Sequence, residues 1–194
     1  MEEKNWAAVK KQLRDQVRTA RHALTEQARD EAAAGLLTQL QQLVKMRGVK
    51  SLACYLPVRS EPDTLPFIAW AQQTGIRVLL PACRPDDMLD WIEPAENFAT
   101  IPGAYGIPEP VGERFAPMEV STVDLILTPA AAVDRTGTRL GWGGGFYDRT
   151  LGSSENCPPV FAIVYSNELA DTLPRELHDI PVQGVVTPDN VTVF

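Results

Sequence analysis

Composition and charge describe an ordinary folded protein and exclude several classes. The chain has 194 residues, of which 44% are hydrophobic and 22% charged, so neither a disordered nor a fibrous protein is indicated. No apolar run approaches the roughly 20 residues that cross a bilayer, and the N-terminal segment lacks the apolar stretch of a secretory signal. We predict one domain over residues 1–194 that is cytoplasmic and makes no contact with membranes.

The net charge of −7 is unevenly distributed along the chain. Residues 1–21 carry six basic and three acidic side chains, a local charge of +3, which leaves −10 on the remainder. An anionic ligand could therefore dock near the N-terminus. Binding of nucleic acid is not expected, because an acidic protein offers no broad surface for a phosphate backbone.

Cysteine and histidine usage indicates neither disulfides nor zinc. Cys54, Cys83 and Cys157 are widely separated with no CxxC motif, so we interpret them as reduced, buried thiols. His22 and His178 show no metal-ligand spacing, and we expect His22 on the solvent side of its helix.

Two helices are predicted first in chain order. Apolar residues recur at helical spacing over residues 3–24, and again over residues 26–46 after Thr25, a plausible N-cap. Gly48 ends the helical pattern.

A βαβ unit follows. Residues 49–57 read as a buried strand, residues 63–73 as a helix closed by Gly75, and residues 77–83 as a second strand. The sheet is therefore expected to be at least partly parallel.

The middle of the chain mixes strands with proline-rich and glycine-rich segments. Residues 88–93 alternate as a strand does, while residues 94–122 hold five prolines and indicate a long ordered loop. A strand over residues 123–128 leads into a glycine-rich turn, with a helix expected to begin near Phe146.

Short elements complete the chain. Residues 160–165 indicate a buried strand, residues 167–173 a short helix, and residues 184–187 and 191–194 terminal strands. The whole pattern predicts an α/β fold of three layers, in which helices flank a mostly parallel sheet and two helices come first.

The glycine-rich turn carries the densest signal. Four glycines fall within five positions between Arg139 and Arg149, which lets backbone N–H groups approach a ligand closely. Phosphate suits such a turn, and the following helix start would add to the attraction for anions. The motif matches neither a P-loop nor GxGxxG. A strand-to-helix connection without a ligand explains the glycines equally well, but the flanking Arg, Tyr and Asp side chains favour binding.

The segment RLGWGGGFYDR resembles the RLGxGxGYYD signature of the 5-formyltetrahydrofolate cyclo-ligase family. The resemblance extends along nearly the whole chain, through DLILTPAAAVDRTG, YLPVRSE, YGIPEP and LPRELHDIPVQGVVTP. It implies an ATP-dependent ligase that closes 5-formyltetrahydrofolate to 5,10-methenyltetrahydrofolate, with no covalent nucleophile. The implied partners are these small molecules, and we expect a monomer or a small homo-oligomer.

An ATP site is implied by the glycine-rich segment and by an N-terminal KxxLR-type motif. On a helix, the basic side chains of residues 10, 14, 18 and 21 fall within about 80°, which a solvated helix face would also explain. The resemblance favours phosphate contacts. The implied ATP contacts are Lys10, Lys11, Gln12, Leu13, Arg14, Arg139, Leu140, Gly141, Trp142, Gly143, Gly144, Gly145, Phe146 and Tyr147.

A folate site is implied by residues beyond the first strand. A carboxylate suits the N–H donors of a pterin, whereas an exposed loop carboxylate is the plain alternative for Glu61. The aromatic residue of YGIPEP ranks second and could belong only to a rigid loop. The implied folate contacts are Leu56, Glu61, Tyr105, Trp142, Gly143, Gly144, Gly145 and Phe146.

Mg²⁺ is implied as the metal, with Asp148 and Asp179 as oxygen ligands, although either could be a helix cap or an ion-pair partner. Trp142, Phe146 and Gln183 depart from the common family pattern. Two other functions remain open: a sugar-phosphate isomerase on a similar scaffold, which would need no ATP, and a protein that binds nucleotide or folate without turnover.

Overall fold

A computed structural model describes residues 6–153, 156–176 and 179–194. The start of the first predicted helix, residues 3–5, and His178 lie outside these ranges. The α-helices are α1 (Trp6–His22), α2 (Glu26–Arg47), α3 (Leu65–Gln73) and α4 (Phe146–Gly152). The strands are β1 (Ser51–Ala53), β2 (Arg77–Cys83), β3 (Leu89–Pro94), β4 (Thr100–Pro102), β5 (Pro108–Pro110), β6 (Gly112–Phe115), β7 (Leu125–Pro129), β8 (Ala132–Asp134), β9 (Arg139–Leu140), β10 (Val160–Ile163), β11 (Leu169–Ala170), β12 (Gly184–Val186) and β13 (Val191–Val193).

Eight strands form the main sheet, in the order β13-β12-β10-β7-β1-β2-β3-β6. The run from β12 to β2 is parallel throughout. Antiparallel strands close the two edges, β13 on one side and β3 with β6 on the other. The predicted α/β fold with a mostly parallel sheet is confirmed.

Side chains of the central strands alternate between two buried faces. Leu52 and Cys54 point to the face covered by α2 and α3, whereas Ala53 between them points to the opposite face. Leu125 and Ile126 on β7 divide in the same way. Because both faces are covered, the strands read as continuous apolar runs, and the layers are helix, sheet and helix.

The ends of α2 are where the sequence predicts them. The Thr25 hydroxyl accepts a hydrogen bond of 3.1 Å from the backbone N–H of Ala28, as an N-cap does. Gly48 ends the helix in the left-handed conformation, with φ of 65°, which a residue without a Cβ adopts easily.

The prediction of a loop over residues 94–122 is wrong in part. The segment contains the β4–β5 hairpin and β6, which pairs with β3. Residues of β4 are exposed on both faces, so no alternation of apolar and polar side chains marks it as a strand. Its register depends on its partner rather than on its own pattern.

The predicted helix over residues 167–173 is also wrong. A 3₁₀ turn spans Ser166–Glu168, and β11 follows it directly. The Glu168 carboxylate turns inward and accepts a 2.8 Å hydrogen bond from the backbone N–H of Tyr165, a capping contact at the start of the turn. The next two residues pair with β8 instead of continuing a helix. The small sheet formed by β11, β8 and β9 has no counterpart among the predicted elements.

The described helices include none that is both long and apolar enough to cross a membrane. The three thiols are unpaired, but their burial differs from the prediction. Cys54 is buried, Cys83 is half-buried, and Cys157 is exposed because it lies in the loop before β10 rather than in a strand.

Candidate active site

A cavity of about 680 Å³ opens at the carboxyl ends of β1, β2 and β7. The carboxyl edge of a parallel sheet is the usual ligand position in α/β proteins. α1 forms one wall, the glycine-rich segment a second, and the chain after β1 the floor. Most of the predicted phosphate-binding residues and the predicted folate-binding residues therefore share one space.

Lys10 and Arg14 face this cavity from α1. Lys10 is buried, and its Nζ lies 2.6 Å from Glu176 Oε2 and 2.7 Å from Asp179 Oδ2. Burial opposes its charge, but the hydrogen bonds to Asp179 and Glu176 outweigh that effect and raise the pKa of Lys10. Arg14 donates from Nε to the carbonyl oxygen of Gly141 at 2.7 Å. A solvated helix face is thereby excluded for Lys10.

Arg21 anchors the same helix in the core. Its Nε and Nη2 donate to the two carboxylate oxygens of Glu168 at 2.6 and 2.8 Å, and Nη2 also donates to the carbonyl of Ala130 at 2.8 Å. Both partners of this ion pair are buried. Arg18 lies one turn away, with its guanidinium 5.5 Å from the centre of the Trp142 ring.

The glycine-rich segment reaches conformations that side chains rarely adopt. Gly143 has φ of 100° and Gly145 has φ of 68°, both in the region that favours glycine. α4 begins at Phe146, as predicted. A Cβ on Gly143 would lie 3.6 Å from the Arg14 guanidinium carbon, so the missing side chain keeps open the space beside that cation.

Arg139 and Tyr147 lie at either end of the glycine-rich segment in sequence, and both line the cavity. Arg139 donates to Asp148 Oδ1 at 2.6 Å, and its guanidinium lies 5.9 Å from the Tyr147 ring centre. The Tyr147 ring packs edge-on against Trp91, with centroids 6.5 Å apart. These contacts fix the positions of two cavity-lining side chains before any ligand binds.

Glu61 lies on a tight turn after β1. Its backbone N–H donates to the carbonyl of Val58, and its carboxylate accepts from the Val58 N–H, each at 3.1 Å. Burial raises the pKa of Glu61 to about 7, although the Val58 N–H, Arg21 and Trp142 each act to lower it. The plain alternative of an exposed loop carboxylate is wrong, since the group lines the cavity.

Leu56 and Tyr105 complete the predicted folate contacts. Leu56 is 8% exposed and lines the floor. Tyr105 lies at the mouth, 65% exposed, and its ring meets Phe146 edge-on with centroids 5.5 Å apart. Tyr105 has φ of 59°, a strained value for a side chain of this size.

Asp148 and Asp179, the predicted metal ligands, both line the cavity. Each already pairs with a cation, Asp148 with Arg139 and Asp179 with Lys10. Among the described residues, no group of three or more His, Cys, Asp or Glu side chains could hold a metal ion by itself. This donor set fits Mg²⁺ that is bound mostly by phosphates and water.

Three of the predicted ATP contacts lie elsewhere. Lys11 and Gln12 are exposed and border a shallow depression on the other side of α1. Leu13 packs on a small apolar cluster with Leu140 and Leu173. Because adjacent helical residues point about 100° apart, a motif five residues long cannot direct every side chain into one cavity.

Glu176 and Asp87 line the cavity without having been singled out from the sequence. Glu176 and Asp179 both form ion pairs with Lys10. The sequence feature that could have identified Glu176 is its position three residues before Asp179. Asp87 forms an ion pair of 3.3 Å with Arg149. The Arg149 guanidinium also donates a hydrogen bond to the carbonyl of Gly144. No local pattern relates these side chains to the glycine-rich segment.

Comparison with known proteins agrees with this geometry. A family model described as the 5-formyltetrahydrofolate cyclo-ligase family matches residues 6–188. A 5-formyltetrahydrofolate cyclo-ligase from Mycolicibacterium smegmatis is 36% identical over 92% of this chain and 93% of its own length, and one from Escherichia coli K12 is 32% identical over 90% and 98%.

Solved structures show the same relationship. The NMR structure of Aquifex aeolicus 5,10-methenyltetrahydrofolate synthetase superposes with a TM-score of 0.81 at 32% identity, covering 95% of this chain and 92% of that one. A synthetase from Mycoplasma pneumoniae shares the fold, with a TM-score of 0.71 at 23% identity over 92% and 98%. With its signature segment lining the cavity, the chain belongs to the 5-formyltetrahydrofolate cyclo-ligase family.

Proposed function

We propose that this protein closes 5-formyltetrahydrofolate to 5,10-methenyltetrahydrofolate and converts ATP to ADP and phosphate. The observation that carries the proposal is one cavity that joins a cationic wall to the half-buried carboxylate of Glu61. Two chemically different ligands suit its two ends. Family membership supports the same reaction.

The triphosphate suits the end formed by α1 and the glycine-rich segment. Lys10, Arg14 and Arg139 supply positive charge there, and the backbone at Gly143 leaves room for close approach. α4 has only seven residues, so we assign the attraction to side-chain cations and loop amides rather than to a helix dipole.

The pterin suits the end formed by Glu61 and Leu56. An ionised carboxylate accepts hydrogen bonds from adjacent N–H donors, which the aminopyrimidine edge of a pterin presents. Leu56 and Phe146 offer apolar surface to the ring. The turn that fixes Glu61 to Val58 holds its carboxylate in place before the substrate arrives.

The reaction needs the formyl oxygen to become a leaving group. That oxygen attacks the γ-phosphorus, an O–P bond forms, and the bond to ADP breaks. N10 then attacks the activated formyl carbon and loses its proton, and the C–O bond breaks to release phosphate. The protein's part is to align the two substrates and offset charge, so no cysteine or other nucleophile is required.

Asp148 and Asp179 are the residues that would hold Mg²⁺, and the metal would supply positive charge to offset that of the transferring phosphoryl group. Both carboxylates line the cavity beside the cationic wall. The cations that now pair with them, Arg139 and Lys10, can turn to phosphate oxygens when the nucleotide binds.

The test is the absorbance of the methenyl product when purified protein meets 5-formyltetrahydrofolate, Mg²⁺ and ATP. We expect growth of the product band with ATP and none in the control without it. A flat trace from folded protein contradicts the proposal. If folate still binds in that case, a binding protein without turnover takes its place.

A further inference from the structure

Trp142 is one of two side chains of the glycine-rich segment that depart from the usual pattern, and the structure places it at the junction of the two ends of the cavity. It belongs to the segment that faces the triphosphate end and lines the same cavity as Glu61. Its ring packs against the apolar cluster of Ala131, Ala132, Leu140 and Leu173.

Two cations hold the indole ring in position. The Arg21 guanidinium carbon lies 5.1 Å from the ring centre and that of Arg18 lies 5.5 Å away. Arg21 is itself fixed by its buried ion pair with Glu168. Contacts of this kind are worth more when they are shielded from water, so the ring has little freedom to turn away.

The indole N–H is buried and makes no formed hydrogen bond within the described protein. A buried donor without a partner costs free energy, and most such donors in proteins are satisfied. The acceptor beside it is the Glu61 carboxyl, close enough for the N–H to lower the pKa of that group, yet short of good hydrogen-bond geometry.

We propose that Trp142 is a positioning residue for Glu61, and that its indole N–H donates to the Glu61 carboxylate when the folate fills the cavity. The inference rests on the proposed function, because it concerns how the pterin-binding carboxylate is held. The bond orients the half-buried Glu61 carboxylate and favours its ionised form. It also connects Glu61, the proposed folate contact, to the glycine-rich segment, which faces the nucleotide.

Other groups act on the same carboxyl and must stay unchanged in a test. The charged and titratable groups that face it are Arg21 from α1, Arg59 from its own turn, Tyr55 after β1 and Tyr147 from α4. Trp142→Phe removes the N–H together with one of the two fused rings, and it keeps an aromatic ring under the two guanidinium groups. Trp70→Phe on α3, on the other side of the sheet, is the matched control for loss of an indole.

The kinetic test compares KM values and their pH dependence. We expect Trp142→Phe to raise KM for the folate by on the order of tenfold, the effect of one hydrogen bond to a charged group, and to change KM for ATP by less than that. The pH below which folate binding weakens should move upward, because Glu61 loses a donor that favours its ionised form. Trp70→Phe should change neither quantity.

A second measurement is independent of turnover. The Glu61 carboxyl can be titrated by ¹³C NMR in glutamate-labelled protein, with the signal assigned by its loss in Glu61→Gln. We expect titration at higher pH in Trp142→Phe than in wild type. An unchanged titration overturns the inference, even if the folate KM rises, because the N–H would then serve the ligand directly. Absence of ATP-dependent product in wild type instead refutes the proposed function and leaves this measurement intact.

Discussion

Lys10 and Lys11 are neighbours in the sequence and lie in opposite environments. Lys10 is buried against Glu176 and Asp179 at the cavity wall, whereas Lys11 is exposed on the far side of α1. The chemistry of the two side chains is identical, so only their direction on the helix separates them.

Lys10→Gln and Lys11→Gln therefore form a matched pair. We expect Lys10→Gln to raise KM for ATP by roughly 10-fold to 100-fold, since a charge-assisted hydrogen bond is worth about 1.5–3 kcal/mol. Lys11→Gln should leave steady-state kinetics unchanged. Equal effects in the two variants would refute the assignment of Lys10 to the phosphate end.

Glu61 lowers the stability of the folded protein at neutral pH, and its proposed role in binding folate accounts for its presence. Burial raises its pKa from 4.5 to about 7, so the folded protein holds a proton that the unfolded chain releases between these values. Stability therefore falls as pH rises from about 4.5 to about 7, and the loss is complete above that range.

Glu61→Gln should remove this loss. We expect the variant to be more stable than wild type at pH 8, by up to about 3 kcal/mol, with a much smaller difference at pH 5. Urea unfolding at both pH values measures it. The same variant should bind folate poorly, and a difference in stability that does not change with pH would contradict the cause.

At the scale of elements, two glycines with left-handed backbone have different purposes. Gly48 ends α2 and has open space around it, while Gly143 lies in the glycine-rich segment beside Arg14. Both have positive φ, so alanine strains the backbone at either place by about 1 kcal/mol.

Gly143→Ala and Gly48→Ala separate strain from function. We expect similar losses of stability in thermal unfolding, but only Gly143→Ala should raise KM for ATP, because its methyl group enters the space beside the Arg14 guanidinium. If Gly48→Ala impairs ATP use to the same extent, backbone strain alone accounts for the effect.

The position of α1 depends on the Arg21–Glu168 pair. Arg21→Met would leave the Glu168 carboxylate buried and uncompensated, which costs about 3–5 kcal/mol in urea unfolding. Arg135→Met is the control, since the Arg135–Asp171 pair is 82% and 92% exposed and should contribute less than about 1 kcal/mol.

The double variant Arg21→Met/Glu168→Met tests the reason for that loss. It should recover much of the stability, because no buried charge is left without a partner. A double variant as unstable as the single one would mean that the methionine side chains pack poorly rather than that a charge is uncompensated.

For the whole molecule, the cavity joins parts that are distant in sequence: α1, the turn after β1, the glycine-rich segment and residues 176 and 179. A ligand that bridges them stabilises the folded state alone. A non-hydrolysable ATP analogue with Mg²⁺ at about 100 times its Kd should add about 2.7 kcal/mol and raise Tm by roughly 5–10 °C. No shift at saturating analogue and folate would contradict a shared site.

Much of the fold could be predicted because its causes are local. The βαβ unit follows from apolar runs buried on both faces, and α2 ends where Thr25 and Gly48 cap it. The strands within residues 94–122 could not be predicted, because exposed β4 exists only through its pairing with β5. The pattern of apolar and polar residues along a strand indicates which side chains are buried, but it does not identify the strand with which that strand pairs.

The candidate site, like the fold, could be predicted only in part from the sequence. The glycine-rich segment, Glu61 and the family signature are visible in the sequence itself, since glycine content and motif order require no neighbours to be known. Only the tertiary structure decided which side chains meet: Lys10 with Asp179 across 169 residues, Arg21 with Glu168 across 147, and Trp142 beside Glu61. Charge pairing, burial and a raised pKa depend on distances between elements, and the folding of the sheet sets those distances.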